Sequence, residues 1–340
     1  MTRVRAAAAL FLLLSLTGCG YQQYQSAFGG AGVENQQFQT LFWIFLAVCA
    51  FMYLLVLAML IGGIVRRRRA QANVVETGTH NQTDPLLRTG LIGWGALVTT
   101  GLVLLAIASF FADRSMAQAA AKERLSIKVT GKQWWWDIEY RSADVSKTIR
   151  TANELHLPVG VPVRITLDSN DVIHSFWVPS LAGKQDLIPG RETDLTIVPR
   201  KIGIYRGQCA EFCGTQHAHM ALVVNVDSYP DFIKWWIRQL QTPPAPSAPL
   251  VQAGYNYVTR GECSSCHNIG GTPASGKVGP DLTHFASRRS IAAGTLPMNK
   301  GNLYGWIADP QSIKPGSKMP TLGLEPNELH AVVAYLETLK

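Results

Sequence analysis

The residues best suited to chemistry lie close together in one stretch of this sequence, residues 209–220. The stretch and one earlier histidine offer five ligand positions: His174, Cys209, Cys213, His217 or His219, and Met220. Thiolate, imidazole and thioether groups form a soft ligand set, which suits copper. A loop carrying several such groups can bring them to one metal centre if a rigid scaffold holds its ends.

Three kinds of metal site remain open on this chemistry. A structural zinc site would use two cysteines and two histidines in a closed tetrahedron, but it leaves Met220 without a role. A mononuclear copper site would use one cysteine and leaves the second unexplained. Two thiolates, two imidazoles and a thioether are enough for two copper ions bridged by both sulfur atoms. The ligand set therefore favours a dinuclear copper centre.

A second group of reactive residues lies near the C-terminus. Cys263, Cys266 and His267 form the Cys-x-x-Cys-His signature of c-type haem attachment, with two thioether bonds and a proximal histidine. Met319 lies in a proline-braced turn and is the candidate for the sixth iron ligand, while its rival Met298 lacks such a turn. Histidine and methionine together fill both axial positions, so this haem would transfer electrons rather than bind oxygen.

The six cysteines do not follow the pattern of a disulfide framework. Four of them form the two close pairs above, and such thiols in an exported domain would oxidise unless a metal or cofactor held them. Cys49 lies inside an apolar run and is interpreted as inert. Cys19 ends the tetrad 16–19, which resembles the lipobox of bacterial lipoproteins, and it is the candidate lipidation site.

The soft ligands need a rigid scaffold, and short β-rich runs separated by turn residues predict an all-β sandwich over residues 122–241. The runs are 125–129, 134–140, 154–158, 163–167, 194–198 and 221–226. A helix at 229–240 should close this domain. The proline-rich segment 242–250 predicts a semi-stiff linker. Residues 251–340 then predict an all-α haem domain that ends in an amphipathic helix.

The first third of the chain holds the long apolar runs. Residues 1–18 have a basic start and a short apolar stretch, which indicates a signal peptide. Residues 41–65 and 90–112 are each long enough to cross a hydrocarbon core of about 30 Å as a helix. The arginines at 66–69 lie between them, so the positive-inside rule predicts a transmembrane hairpin with this loop in the cytoplasm. That position explains the basic block without nucleic-acid binding, for which the sequence has no fold signature.

Four segments resemble cytochrome c oxidase subunit 2 in their order and spacing: 131–140, 172–181, 184–191 and 209–220. The resemblance implies a cupredoxin-like domain that holds the dinuclear copper centre known in this family as CuA. Its ligands map onto His174, Cys209, Cys213, His217 and Met220 through side chains, and onto Glu211 through its backbone carbonyl. His219 matches no ligand.

The resemblance also assigns two roles outside copper binding. The carboxylate of Glu211 matches a group that reaches a magnesium ion at the interface with subunit 1. Trp134 matches the position at which electrons arrive, where an exposed indole meets the donor haem. One departure lies ahead of the second span, where the family usually carries a glutamate at the mouth of a proton channel. Leu87 stands at that position here, and Asp84 is a nearby acid.

Residues 251–340 resemble a class I cytochrome c over their whole length, with Met319 at the position of its methionine ligand. A copper domain fused to a haem c domain is typical of caa-type oxidases. The resemblance therefore implies a subunit that takes electrons from cytochrome c, or from a quinol–cytochrome c reductase, into a proton-translocating oxidase with subunits 1 and 3. It also implies a multi-pass protein of a bacterial inner membrane, with both cofactor domains on the periplasmic side.

Two functions of other classes remain as alternatives. One is a membrane-tethered copper and haem electron carrier that is not part of an oxidase. The other is a copper storage or assembly module, against which the haem signature argues. A quinol oxidase subunit on the same scaffold is excluded if Cys209 and Cys213 bind copper, because that branch lacks the copper ligands.

Overall fold

A computed structural model describes residues 25–71, 85–120 and 124–340 of the chain. The predicted signal peptide, the lipobox residue Cys19 and the acid Asp84 lie outside these residues. The described chain forms two compact units, one of residues 36–118 and one of the remainder.

Two long helices make up the first unit. α1 spans Val33–Gln71 and α2 spans Pro85–Ala120. Each contains a stretch that is long and apolar enough to cross a membrane, Val33–Arg69 in the first and Arg88–Arg114 in the second. The helices are longer than the two predicted spans, because apolar composition marks only the part of a helix that contacts lipid.

Ten strands form a sandwich of two five-stranded sheets, in the orders β3-β2-β1-β5-β8 and β4-β10-β9-β6-β7. The strands are β1 Leu125–Lys132, β2 Trp135–Arg141, β3 Ile149–Ala152, β4 Glu154–Pro158, β5 Val163–Ser169, β6 His174–Trp177, β7 Gln185–Leu187, β8 Thr193–Ile197, β9 Gly203–Cys209 and β10 Ala221–Asp227. Each sheet contains one parallel pair, β1 with β5 and β4 with β10, and its other pairs are antiparallel.

Alternate residues of these strands point into the sandwich, as the two-residue period of a strand requires. Ile127 and Val129 of β1 are fully buried, and so are Trp136 and Ile138 of β2. Trp136 meets Phe176 from the other sheet edge to face, with ring centroids 5.7 Å apart. This aromatic contact links the two sheets directly beside the strand that begins with His174.

The helix α3, Tyr229–Gln239, closes the sandwich as the sequence predicts. Ser228 caps it by accepting a hydrogen bond from the Asp231 backbone N–H, which satisfies one of the unpaired donors of the first turn. Trp235 on its buried face stacks on His156 of β4 with ring centroids 4.3 Å apart. The helix is therefore fixed to the sheet by its aromatic face.

The remaining residues form a helical domain. Its elements are α4 Pro249–Arg260, α5 Cys263–Cys266, β11 Ser290–Ile291, β12 Leu296–Pro297, α6 Lys300–Ala308, α7 Pro310–Ile313 and α8 Pro326–Leu336. α4 and α8 cross at Gly254, where a Cβ atom would lie 2.0 Å from the carbonyl oxygen of Ala331. Only glycine allows so close a crossing. Tyr255 and Tyr335 meet edge to face beside it, with ring centroids 5.5 Å apart.

The predicted fold class of two apolar helices, a β-sandwich and a helical domain is confirmed. Five of the six predicted strands differ from the observed ones at their ends by at most three residues, and the sixth coincides with β4. The strands β3, β6, β7 and β9 were not among the predicted runs. β3, β6 and β7 are only three or four residues long, and β9 contains two glycines, which weaken a strand pattern.

His156 on β4 gives a first testable prediction. Its Nδ1 lies 2.7 Å from Asp227 Oδ2, and its Nε2 lies 3.4 Å from Glu154 Oε1. Burial lowers the pKa of His156, but the two carboxylates outweigh burial and hold it above its ordinary value. The stability from a raised histidine pKa is complete below the unfolded pKa of about 6.5 and is lost as pH rises through the folded pKa.

The free energy of unfolding should therefore decrease over that pH range, and His156→Gln should remove this part of the dependence. Denaturant titrations of the detergent-solubilised chain at several pH values measure the effect. His330→Gln, on the exposed surface of α8, is the matched control. If His156→Gln has the same pH profile as the unaltered chain, the cluster of His156, Asp227 and Glu154 does not contribute to stability as predicted.

Candidate functional site

Three neighbouring strands of the second sheet position the soft ligands. β6 pairs antiparallel with β9 so that Phe176 lies opposite Cys209, which brings His174 at the start of β6 close to the end of β9. β10 pairs with β9 on its other side, and the Cys209 N–H donates to the Met220 carbonyl at 2.9 Å. The loop 210–220 therefore leaves and rejoins the sheet at adjacent strand ends.

The ligand side chains converge on the two thiols. The sulfur atoms of Cys209 and Cys213 lie 3.7 Å apart. His174 Nδ1 lies 3.8 Å from the Cys209 sulfur, and His217 Nδ1 lies 3.7 Å from the Cys213 sulfur. The Met220 sulfur lies 3.9 Å from that of Cys213. Each thiol thus has one imidazole beside it, an arrangement that suits two metal ions bridged by both sulfurs better than one.

Two further residues of the loop, Glu211 and His219, differ in whether they contact the cluster. The backbone carbonyl oxygen of Glu211 lies 3.2 Å from the Cys209 sulfur, so it belongs to the cluster. The Glu211 carboxylate is half-exposed and lies 3.9 Å from Lys184 Nζ. His219 is exposed and its Nδ1 bonds to Gln216 Oε1 at 2.7 Å, so its ring lies outside the cluster.

His174 is fixed by groups on its far side. Its Nε2 lies 2.8 Å from Asp171 Oδ1, which directs the other ring nitrogen towards the sulfurs. A Cβ atom on Gly131 would lie 2.8 Å from His174 Cδ2, so the backbone of β1 packs directly against the imidazole. A carboxylate behind a ligating histidine sets its tautomer and raises its basicity.

The two thiols lie within hydrogen-bonding distance of each other. The hydrogen bond from Cys213 is the main cause that holds the pKa of Cys209 well below its ordinary value, and it raises the pKa of Cys213 well above it. Metals bind cysteine as the thiolate, so a metal that binds both sulfurs should displace the proton that remains on the pair.

Trp134 connects this loop to the helical domain. Its indole Nε1 donates to the Cys213 carbonyl at 2.9 Å, and Gln133 Nε2 donates to the same oxygen at 2.8 Å. The indole is only 8% exposed, whereas the family resemblance led us to expect an exposed ring. It is covered because the helical domain of the same chain lies over it.

A cavity of about 480 Å³ lies where the two domains meet. Pockets that bind small ligands and cofactors have volumes of about 300–1,000 Å³. The helical domain contributes the Cys-x-x-Cys-His residues and the braced methionine to the cavity wall, and the sandwich contributes aromatic side chains. These lining residues include Cys263, Cys266, His267, Met319, Trp134 and Trp135. The wall is mostly apolar, as a haem requires.

The two predicted iron ligands are placed differently from the rival methionine. His267 Nδ1 donates to the Pro280 carbonyl at 2.7 Å, which leaves Nε2 free to bind a metal. Burial lowers the pKa of His267, and this favours the neutral imidazole that ligates iron. Both methionines pack against the hydrophobic core of the domain, but of the two Met319 alone also lines the cavity.

The buried side chain of Arg288 indicates that the cavity fits a cofactor with an anionic group, such as a haem. This side chain is buried and lines the cavity, and its Nε has no hydrogen-bond partner among the residues that the structure describes. One of its terminal nitrogens donates to the Asp281 carbonyl. A buried guanidinium N–H without an acceptor is costly, and an anionic group on a bound cofactor, such as a haem carboxylate, would satisfy it.

Several supporting residues were not identified from the sequence. Gln133 bonds to Cys213, which is distant in the chain, so no local spacing marks it. Asp171 lies three residues before His174, and an acid this close to a candidate histidine ligand is a local signal. Arg288 has no such signal, because the cavity that it lines is formed by distant segments. Lys314 was also missed, because a lysine in a loop is usually interpreted as an exposed charge, whereas this one is only 3% exposed. Glycine at 131 carries a weak signal, since glycine inside a strand often marks close backbone approach.

Comparison with known proteins gives consistent matches for both domains. The family model "Cytochrome C oxidase subunit II, periplasmic domain" matches residues 142–227, and the model "Cytochrome c" matches residues 251–340. Cytochrome c oxidase subunit 2 of Alkalihalophilus pseudofirmus is 31% identical over 97% of this chain and 95% of its own length. The same subunit of Bacillus sp. strain PS3 is 29% identical over 81% of this chain and 80% of its own length.

Among solved structures, the periplasmic domain of subunit II of cytochrome oxidase from Bradyrhizobium japonicum is 32% identical. The match covers 35% of this chain and 94% of the Bradyrhizobium domain, with a TM-score of 0.33.

The two methionines give a second prediction. Met319→Leu should keep the haem covalently attached through Cys263 and Cys266, while its reduction potential falls and its iron opens to carbon monoxide, because a thioether ligand is lost. Redox titration and carbon monoxide difference spectra measure both effects. Met298→Leu is the control and should change neither. If Met298→Leu opens the iron and Met319→Leu does not, the axial assignment is wrong.

Proposed function

Because the chain belongs to the cytochrome c oxidase subunit 2 family and carries a cytochrome c domain, we propose that it is the subunit through which electrons enter a respiratory oxidase. It takes electrons from cytochrome c and delivers them to subunit 1, where oxygen is reduced to water with proton translocation. The observation that carries this proposal is that one chain places a soft-ligand cluster and a Cys-x-x-Cys-His cavity on the two sides of Trp134.

The proposed copper ligands are the side chains that converge on the two thiols. They are His174, Cys209, Cys213, His217 and Met220, with the backbone carbonyl of Glu211. The proposed haem residues are Cys263 and Cys266 for covalent attachment and His267 and Met319 for the iron. When bound, the dinuclear copper centre and the haem c supply the one-electron redox chemistry.

The protein's own contribution is to hold these groups in fixed relation. Asp171 orients His174, and Pro280 orients His267, each through the ring nitrogen that does not face a metal. The hydrogen bond from Trp134 Nε1 to the Cys213 carbonyl gives a short covalent and hydrogen-bonded connection from the cavity wall to a copper ligand. Burial of His174, Cys209, Cys213 and Met220 excludes water from the thiol cluster, which keeps the surrounding dipoles fixed while charge moves.

The rest of the proposal concerns the setting of the chain. α1 and α2 anchor it as a multi-pass hairpin in the bacterial inner membrane, with residues 122–241 and 251–340 as periplasmic cofactor domains joined by the linker 242–250. Its partners are oxidase subunits 1 and 3, membrane lipid, and cytochrome c or a quinol–cytochrome c reductase as donor. The half-exposed carboxylate of Glu211 is available for a magnesium ion at the subunit 1 interface.

Metal content gives a third prediction. The purified chain should bind two copper ions, with an electron paramagnetic resonance signal that shows hyperfine coupling to both nuclei, because each sulfur has its own imidazole. Cys213→Ser should abolish this signal, since it removes one bridging thiolate. Cys49→Ser, in the apolar helix α1, should leave it unchanged. One copper per chain, hyperfine structure from a single nucleus, or stoichiometric zinc would contradict the dinuclear assignment.

Trp134 gives a fourth prediction. Trp134→Phe removes the indole N–H that bonds to the Cys213 carbonyl, so transfer of electrons from the haem to copper should slow by about tenfold or more, as small misplacements of reacting groups can cost. Flash-induced absorbance changes of the two centres in the assembled oxidase measure the rate. Trp135→Phe is the control, since Trp135 lines the same cavity but its ring lies under the Lys132 ammonium, 4.6 Å from it.

Equal rates in the two tryptophan variants would exclude Trp134 from the path. The copper spectrum must remain unaltered in both variants, so that a change in rate is not caused by loss of the metal.

A further inference from the structure

Lys314 lies buried between the two cofactor domains. It caps the C-terminal end of the short helix α7, five residues before Met319, and is 3% exposed. Its Nζ donates to three backbone carbonyl oxygens: Trp134 O at 2.8 Å, His219 O at 2.8 Å and Ala292 O at 3.0 Å. Two of these acceptors belong to the sandwich and one to the helical domain that carries Lys314.

An ammonium group has three N–H donors, so three carbonyl oxygens satisfy it completely. Burial lowers the pKa of Lys314 to about 7. The three carbonyls favour the charged form, because the neutral amine has one donor too few for them. A buried charge without such partners is strongly unfavourable. All three acceptors surround the ammonium group only while the helical domain contacts the sandwich. Separation of the domains would therefore remove two of the three hydrogen bonds of Lys314.

The two acceptors on the sandwich belong to residues that matter for electron flow. Trp134 has its indole on the cavity wall and bonded to the Cys213 carbonyl. His219 immediately precedes the ligand Met220. A neighbouring contact, from Gln216 Nε2 to the Pro315 carbonyl at 2.9 Å, ties the same two segments together. The loop that holds Met319 is thus fastened to the copper loop next to the indole that lies between them.

We propose that Lys314 is a positioning residue for internal electron transfer, which holds the haem domain against Trp134 so that transfer does not wait for domain movement. This role rests on the proposed function of the two cofactor sites. It does not concern the proposed ligands themselves, and Lys314 is not one of them. Without it, the domains would remain tethered by the linker 242–250 but would dock only part of the time.

The first test measures contact between the two domains by amide hydrogen exchange, a signal that does not come from either cofactor. The Ala221 N–H donates to the Ala293 carbonyl at 3.0 Å, and the Arg289 N–H donates to Glu154 Oε2 at 2.8 Å, so both amides are protected only while the domains are in contact. The Leu282 N–H donates to the Asn268 carbonyl at 2.8 Å inside the helical domain. In Lys314→Met, hydrogen exchange should accelerate at the two interdomain amides and remain slow at Leu282.

The comparison is made on the full chain, at a pH about one unit below the pKa of Lys314. Lys300→Met is the matched control, because Lys300 lies in the same domain, is exposed, and pairs with Glu337 at 3.5 Å. Exposed ion pairs contribute little to stability, so this control removes one positive charge without loosening the domains. Fast exchange at Leu282 as well would indicate an unfolded helical domain, and Lys314→Gln, which retains two N–H donors, is then compared in its place.

The second test reads electron transfer in the assembled oxidase as solvent viscosity is raised. The unaltered chain and Lys300→Met should transfer electrons from haem to copper at a rate that does not depend on viscosity. Lys314→Met should be about tenfold slower or more, with a rate that falls as viscosity rises, because movement of a domain over microseconds to milliseconds then limits it.

The outcomes separate the possible roles of Lys314. Unchanged exchange at Ala221 and Arg289 in both Lys314 variants overturns the proposal. A slower rate without viscosity dependence, together with shifted reduction potentials, also overturns it and assigns the effect to the charge of Lys314. If the unaltered chain itself shows no transfer from haem to copper, the proposed function fails instead, and the exchange experiment still decides whether Lys314 fastens the domains.

Discussion

The pairing of β6 with β9 is the constraint on which both cofactor sites depend. Because Phe176 lies opposite Cys209, His174 reaches the sulfurs while Phe176 packs against Trp136 in the core. A slip of one residue in this register would turn the imidazole to the other face of the sheet. The loop 210–220 can be irregular because its two ends are fixed by this ladder and by the pairing of β9 with β10.

The helical domain depends on the same ladder indirectly. The Cys213 carbonyl, held by the loop, accepts hydrogen bonds from Trp134 and Gln133, and these fix the part of the sandwich that forms the cavity wall. The cavity is therefore not a property of the helical domain alone. The cavity is completed by the residues that join β1 and β2, and the carbonyl of Cys213, a proposed metal ligand, fixes their position. This main-chain oxygen is therefore one of the contacts through which the geometry of one site affects the other.

Much of this arrangement could be predicted from the sequence, because reactive residues carry local signals. The spacing of Cys209, Cys213, His217 and Met220 and the Cys-x-x-Cys-His signature needed no tertiary information. The fold class followed from alternating and apolar runs. Short strands such as β7 could not be predicted, since three residues give no period. Neither the burial of Trp134 nor that of Lys314 was foreseeable, because both depend on contact between domains distant in the chain.

The acceptors of Lys314 have a consequence for how such a chain can change during evolution. All three are main-chain carbonyls, which every amino acid supplies, so substitutions at 134, 219 and 292 leave the acceptor atoms in place. The sandwich is recognised by its backbone path rather than by its side chains. Substitutions on the sandwich side therefore leave the acceptors of this contact in place as long as the backbone path persists, whereas the donor depends on the side chain of Lys314 itself.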